Sequence, residues 1–200
     1  MLKSKMSLKK TFKESSEKII KTQKLNKEDV IIMAQDEGRF GRVNIPRATW
    51  VPAGPRPVVG RQIVREAFYA YTAVCPALGK ATSLILPYAN TDMMNLFLKQ
   101  VSDDFPEKQI IMQVDGAGWH KSQSLETPSN IHLIIQPPYS PETNPVEHIW
   151  DDIREKELHN RCFDKIKDAR DAVCCGLNRL NENPEYLSSL TYFDHLKVLQ

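Results

Sequence analysis

Apolar positions repeat with two different periods along this chain, and the switching between them lays out its elements. Val30 to Gln35 and Ile110 to Val114 are apolar runs that each end on an acid, Asp36 and Asp115, and both predict buried strands. Glu66 to Val74 alternates and favours β structure, Cys75 to Lys80 carries a Pro and a Gly, and Ala81 to Leu86 is apolar again, which predicts a hairpin. Helical spacing follows a cap at Asn90 or Thr91, with Met94, Leu96, Phe97, Leu98 and Val101 apolar up to about Asp103. A short helix is expected near Ala117, and Ile131 to Ile135 is the last predicted strand. The prolines from Pro137 to Pro145 cannot extend that strand. A helix is predicted to open at Asn144, with Pro145 at its first position and Val146, Ile149, Trp150 and Ile153 facing inward. A further helix over roughly 163–180 places Ile166, Val173, Leu177 and Leu180 on one face, and an apolar tail packs back beyond it.

A hairpin joined through helices to later strands predicts an α/β fold, a mixed sheet with helices on its faces. Two hundred residues suit one domain with a real core. The expected division is a basic arm or linker helix over 1–28, a main domain over 29–160 and a helical extension over 161–200 packed on that domain. Hydrophobic content of 41% and charged content of 26% are ordinary for a globular chain, and no apolar run is long enough for a membrane span. Charge is uneven. Residues 1–27 hold nine lysines against two glutamates, leaving 18 basic against 23 acidic residues in the rest. A basic arm on an acidic body suits a polyanionic partner, or a solvated linker helix. Cys75, Cys162, Cys174 and Cys175 form no CxxC pair, so zinc and a disulfide framework are unsupported and buried thiols are expected. No Gly-rich phosphate loop or cofactor motif is present.

The chemistry lies in three acids. Asp36 and Asp115 close two strands of similar composition, and Glu147 falls in the first turn of the helix after a third. Taken singly, each has a bland reading: the aspartates as turn residues, Glu147 as part of a capping box with Asn144. Together they can converge where open α/β sheets place their ligands, and three converging carboxylates suit hard divalent cations. Between Arg39 and Arg65 stand Arg39, Arg42, Arg47, Arg56, Arg61 and Arg65 with no acid among them, in a stretch with four prolines. Guanidinium forks suit phosphate, and the alternative is pairing with acids elsewhere in the fold. His120, five residues past Asp115, can orient a carboxylate or contact phosphate. His148 lies about 100° from Glu147 around the helix and is not expected to bind metal.

These stretches resemble the DDE transposases of the mariner-like superfamily, in the branch carried by bacterial insertion sequences. The likeness is carried by Gln35-Asp36-Glu37-Gly38-Arg39-Phe40, by Arg47-Ala48-Thr49-Trp50-Val51-Pro52-Ala53-Gly54, by Val114 to His120, and by the block from Pro137 to Trp150. The resemblance implies a ribonuclease H-like fold: a five-stranded mixed sheet with helices on both faces. The acids then lie on the first strand, after the fourth, and on the helix after the fifth. It implies Asp36, Asp115 and Glu147 as a catalytic, metal-binding triad for two Mg²⁺ ions held roughly 3.5–4 Å apart, with Mn²⁺ able to substitute. The implied activity is cutting DNA at transposon ends and joining it to target DNA, typically at TA, by a homodimer. The six arginines and His120 are the expected DNA contacts, and the expected location is the bacterial cytoplasm, at the nucleoid, with no membrane. Such proteins carry an N-terminal helix-turn-helix region, and some 28 residues precede the first strand here. The expectation is therefore half of a split reading frame with a separate helix-turn-helix chain, or a truncated copy. The interval from Asp115 to Glu147, 32 positions, is shorter than the family pattern. The alternative function is a non-catalytic DNA-binding or dimerising remnant able to inhibit a full-length relative.

Overall fold

In the computed structural model the structure describes residues 2–54, 56–136, 144–193 and 196, with backbone alone over 2–10. Five strands form one sheet: β1 (Val30–Val43), β2 (Ile63–Cys75), β3 (Lys80–Leu86), β4 (Gln109–Val114) and β5 (Ile131–Ile135). Their spatial order is β3-β2-β1-β4-β5. The hairpin pairings β1–β2 and β2–β3 are antiparallel, while β1–β4 and β4–β5 are parallel. This is the mixed sheet that the strand order predicts.

Among the described residues, five α-helices cover its two faces. They are α1 (Leu2–Gln23), α2 (Thr91–Asp104), α3 (Val146–Lys156), α4 (Ile166–Asn181) and α5 (Pro184–Leu190). The two-residue period of the strands sorts the core into two layers. Ile31 and Met33 of β1, with Ile110 and Met112 of β4, face α2, which buries Met94, Phe97, Leu98 and Val101 against them. Asn90 caps α2 by accepting from the Met93 N–H. Ile32, Ala34 and Phe40 of β1, with Ile111 of β4, face the other way, onto Ile149, Trp150 and Ile153 of α3 and Val173 and Leu177 of α4. Phe12 and Ile20 of α1 and Leu187 of α5 join that second layer.

Three elements differ from the sequence expectation. β1 runs on to Val43, because beyond Ala34 it leaves β4 and continues against β2, so Arg39 to Arg42 lie on a strand. Pro145 stands at the cap position of α3 rather than at its first helical residue. Of the cysteines, all free, only Cys75 is buried, while Cys162 and Cys175 are exposed. The proline turn, residues 137–143, lies outside the described residues. Among those described, no helix is long and apolar enough to cross a membrane.

Candidate metal centre and cationic cleft

β1 and β4 run parallel with Ala34 opposite Gln113. Asp36 and Asp115 each lie two residues past that last pair, at the mouth of the sheet where β1 parts from β4. Strand alternation turns Asp36 toward α3. There the Trp150 indole N–H donates to its Oδ2 at 2.9 Å. The ring can lie over the strand because residue 38 is glycine: a Cβ there would come within 2.9 Å of the indole and 2.6 Å of the Phe40 ring.

Glu147 is brought alongside by Asn144. The Asn144 amide N–H donates to the carbonyl of Gln35, next to Asp36, at 3.0 Å, while its Oδ1 accepts from the Val146 N–H at 3.1 Å. One buried side chain thus stitches the start of α3 to β1 and sets Glu147 in the first turn over the strand. Among the described residues the Glu147 carboxylate makes no hydrogen bond back to this cap, so the capping-box reading does not describe it.

The electrostatics follow from the crowding. Burial, with Glu147, Glu37 and Asp115 around it, pushes the Asp36 carboxyl up to about 7 against the pull of the Trp150 hydrogen bond. Asp115 moves the opposite way. Its Oδ1 accepts from His120 Nδ1 at 2.8 Å and from the Ala117 N–H at 2.9 Å, which holds it below the usual carboxylate range despite partial burial. His120 is fully enclosed, with Nε2 at 3.1 Å from Glu37 Oε1. Burial disfavours its charge, yet the two carboxylates win and raise it to about 9. Of the two roles open to His120 in the sequence, it orients a carboxylate. Its side chain is wholly buried. His148 points away from the acids, its Nδ1 at 2.9 Å from the Leu190 carbonyl.

Three oxygen-donor side chains, Asp36, Asp115 and Glu147, with no basic side chain paired to Asp36 or Glu147 among the described residues, fit a hard divalent cation better than a soft one. They are not closed into a cage: among the described residues no group of three acids, histidines or cysteines is drawn tightly enough to grip an ion as it stands. Bare carboxylates repel one another, and Asp115 has one oxygen committed to His120.

Beyond the acids, β1 and the end of α3 enclose a cleft of about 220 Å³ lined by Arg39, Arg42, Arg47, Arg154 and Arg161 together with Asn160. Arg154 lies seven residues after Glu147, on the same helical face and roughly 10 Å along the axis. Four of these arginines are held by protein. Arg154 lies 3.7 Å from Asp151, and Arg161 donates to the Glu157 carbonyl at 2.8 Å. Arg42 bonds Glu66 at 2.8 Å and the Phe163 carbonyl at 2.9 Å, and Arg47 lies 3.5 Å from Glu155. Arg39, Arg56, Arg61 and Arg65 are exposed and have no ion-pair partner among the described residues. Arg154 and Arg161, which the sequence reading missed, join Arg39 only because α3 folds back along β1.

A sheet in the order β3-β2-β1-β4-β5, with acids on β1, after β4 and on the following helix, defines a ribonuclease H-like fold. Residues 9–170 match the DDE superfamily endonuclease family, and the chain belongs to it. It is 37% identical over 123 residues to an uncharacterised protein, y4pE/y4sA, of Sinorhizobium fredii (strain NBRC 101917 / NGR234), covering 61% of this chain and 91% of that one. Among solved structures it is similar to the Mos1 transposase paired-end complex with the left transposon end (TM-score 0.56, 15% identity, 93% of this chain and 62% of that one). It is also similar to the Mos1 mariner paired-end complex with Mn (TM-score 0.55, 16% identity, 94% of this chain and 63% of that one). The catalytic domain of Mos1 mariner transposase matches with a TM-score of 0.50 at 13% identity, over 94% of this chain and 96% of that one. The chain thus spans less than two thirds of the Mos1 chains in the complexes.

Proposed function

We propose that this chain is the catalytic domain of a DNA transposase, which cuts transposon ends and joins the freed 3′-hydroxyl to target DNA, and that it works as a dimer on that DNA. The observation that carries the reading is the gathering of Asp36, Asp115 and Glu147 at one mouth of the sheet, beside an arginine-lined cleft. Residues 1–28 then form a basic arm, 29–160 the catalytic domain and 161–200 its helical extension. Asp36, Asp115 and Glu147 would hold two Mg²⁺ ions, which when bound activate the attacking oxygen and neutralise charge on the leaving one. The chain's own residues bind and orient. Trp150 holds the Asp36 carboxylate, His120 holds Asp115, and Asn144 fixes the height of Glu147 above the strand.

The test is a cleavage and joining assay on duplex DNA carrying the element's own ends. Cutting in Mg²⁺ or Mn²⁺, loss of cutting with a chelator, and covalent joining to TA-containing target are the expected results. Salt-sensitive DNA binding with no cutting in either metal would overturn the reading in favour of a binding remnant.

The phosphate backbone that reaches the acids is expected to run along the cleft and to be met there by Arg39, Arg154 and Arg161. Arg39→Ala is expected to weaken DNA binding several-fold for every sequence tried and to lower the salt slope of log K by about 1. An unchanged slope in a fluorescence-anisotropy salt titration would take Arg39 out of the DNA path.

A further inference from the structure

Glu37 stands next to Asp36, but strand alternation points it through the opposite face of the sheet. Its side chain is 5% exposed. No lysine or arginine among the described residues pairs with it. One oxygen, Oε1, instead accepts from three donors: Gln35 Nε2 at 3.0 Å, His120 Nε2 at 3.1 Å and Trp119 Nε1 at 3.3 Å. A carboxylate held this way has no rotational freedom, and it grips the imidazole of His120 by one ring nitrogen. The other ring nitrogen, Nδ1, lies 2.8 Å from Asp115 Oδ1 and 3.2 Å from the Asp115 carbonyl. The Ala117 N–H reaches the same Oδ1 at 2.9 Å.

Asp115 sits just past the end of β4, half exposed, where an aspartate would ordinarily rotate. Two donors on Oδ1 stop that rotation. No described residue bonds Oδ2, which is left as the oxygen free to ligate. We propose that Glu37 is a positioning residue that acts through His120 on Asp115, so that Asp115 presents Oδ2 alone to a divalent cation. The inference rests on the metal-site reading above and adds to it a fourth acid that holds no metal. Hydrogen-bond partners that orient ligating side chains are worth about 10- to 100-fold in metal affinity.

The experiment measures Mn²⁺ affinity of the full chain, freed of metal, by the electron paramagnetic resonance signal of free Mn²⁺. Glu37→Ala and His120→Ala are each expected to weaken binding about tenfold or more. Glu37→Gln keeps an oxygen to accept the ring N–H and is expected to stay within about threefold of the parent. Trp119→Phe removes a bond to the same oxygen without touching the ring. It is expected to bind as the parent does, which separates orientation from loosened packing. If Glu37→Ala does not fold, His120→Ala carries the comparison, since Glu37 then keeps its bonds to Gln35 and Trp119. Parental affinity in Glu37→Ala or His120→Ala overturns the proposal, as does a Glu37→Gln variant as weak as Glu37→Ala, which would make charge rather than orientation the cause. A parent that binds no Mn²⁺, or an Asp115→Asn variant that binds as the parent does, overturns the metal site itself and this proposal with it.

Discussion

Asp36→Asn is expected to abolish metal-dependent DNA cleavage and, in the same molecule, to make the metal-free protein more stable above neutral pH. The loss of cleavage should be at least roughly a thousandfold, because a ligated cation supplies several kcal/mol of transition-state stabilisation. The gain in stability comes from the raised carboxyl. In the unfolded chain Asp36 ionises near its ordinary value of 3.8, whereas in the fold it does so at about 7. Below the first value both states are protonated and there is no penalty. Between the two the penalty grows with pH, and above 7 it is present in full. At about 1.4 kcal/mol per unit, the buried charge costs on the order of 2–4 kcal/mol at pH 8. Asparagine carries no such charge and can still accept from the Trp150 N–H. Thermal unfolding at pH 8 in chelator should show Asp36→Asn melting about 5 °C or more above the parent, with the difference gone near pH 4. Mg²⁺ should then raise the parent's Tm at pH 8 and leave that of the variant nearly unchanged. A variant that melts at or below the parent in chelator at pH 8 would show that the acid is not under this strain.

The second large effect is purely structural. Asp152 on α3 is buried, and it accepts from Arg179 of α4 at 2.5 Å, from Lys156 at 2.5 Å and from the Tyr186 hydroxyl of α5 at 2.6 Å. Burial pushes its carboxyl up, but these three donors outweigh that and hold it below the ordinary carboxylate range. Asp152→Ala is expected to cost about 2–3 kcal/mol, toward the low end for a broken buried pair because Arg179 and Lys156 can still reach water. The sign with pH is fixed. The contribution is present above the unfolded pKa and is lost as pH falls through the depressed folded value, so the gap between parent and variant should close in acid. Urea unfolding at pH 7 and pH 3 measures both points, and a gap below about 0.5 kcal/mol at neutral pH would mean that the triple contact adds nothing net.

Strand and helix order were legible because each apolar run is short, strictly placed and bounded by Pro, Gly or a cap. The positions of Asp36, Asp115 and Glu147 at the ends of those runs followed directly. The far half of β1 was not legible. Its Gly38-Arg39-Phe40-Gly41-Arg42 reads as a loop, and only pairing with β2, a long-range fact, makes it a strand. Glu37 was passed over for a related reason: beside Asp36 it looks like part of a turn. The available signal was parity. One residue along a strand is the opposite face, and His120 was the side chain on that face in need of an acceptor. Trp150 was expected in the core as part of a helical stripe, and nothing in that periodicity tells of an indole N–H aimed at Asp36. Arg154 and Arg161 were missed because their nearness to Arg39 depends on how α3 lies along the sheet.

The buried amide of Asn144 has one more consequence. Since it is tied to the main chain next to the first acid, the third acid takes its height from that tie and not from the length of polypeptide leading up to it. An interval of 32 residues between the second and third acids is therefore expected to tolerate a few residues more or fewer over 116–130 while Glu147 keeps its place. Insertions there should be absorbed without harm, whereas shortening the Asn144 side chain by a single amide would let the whole first turn of α3 drift from the strand it serves.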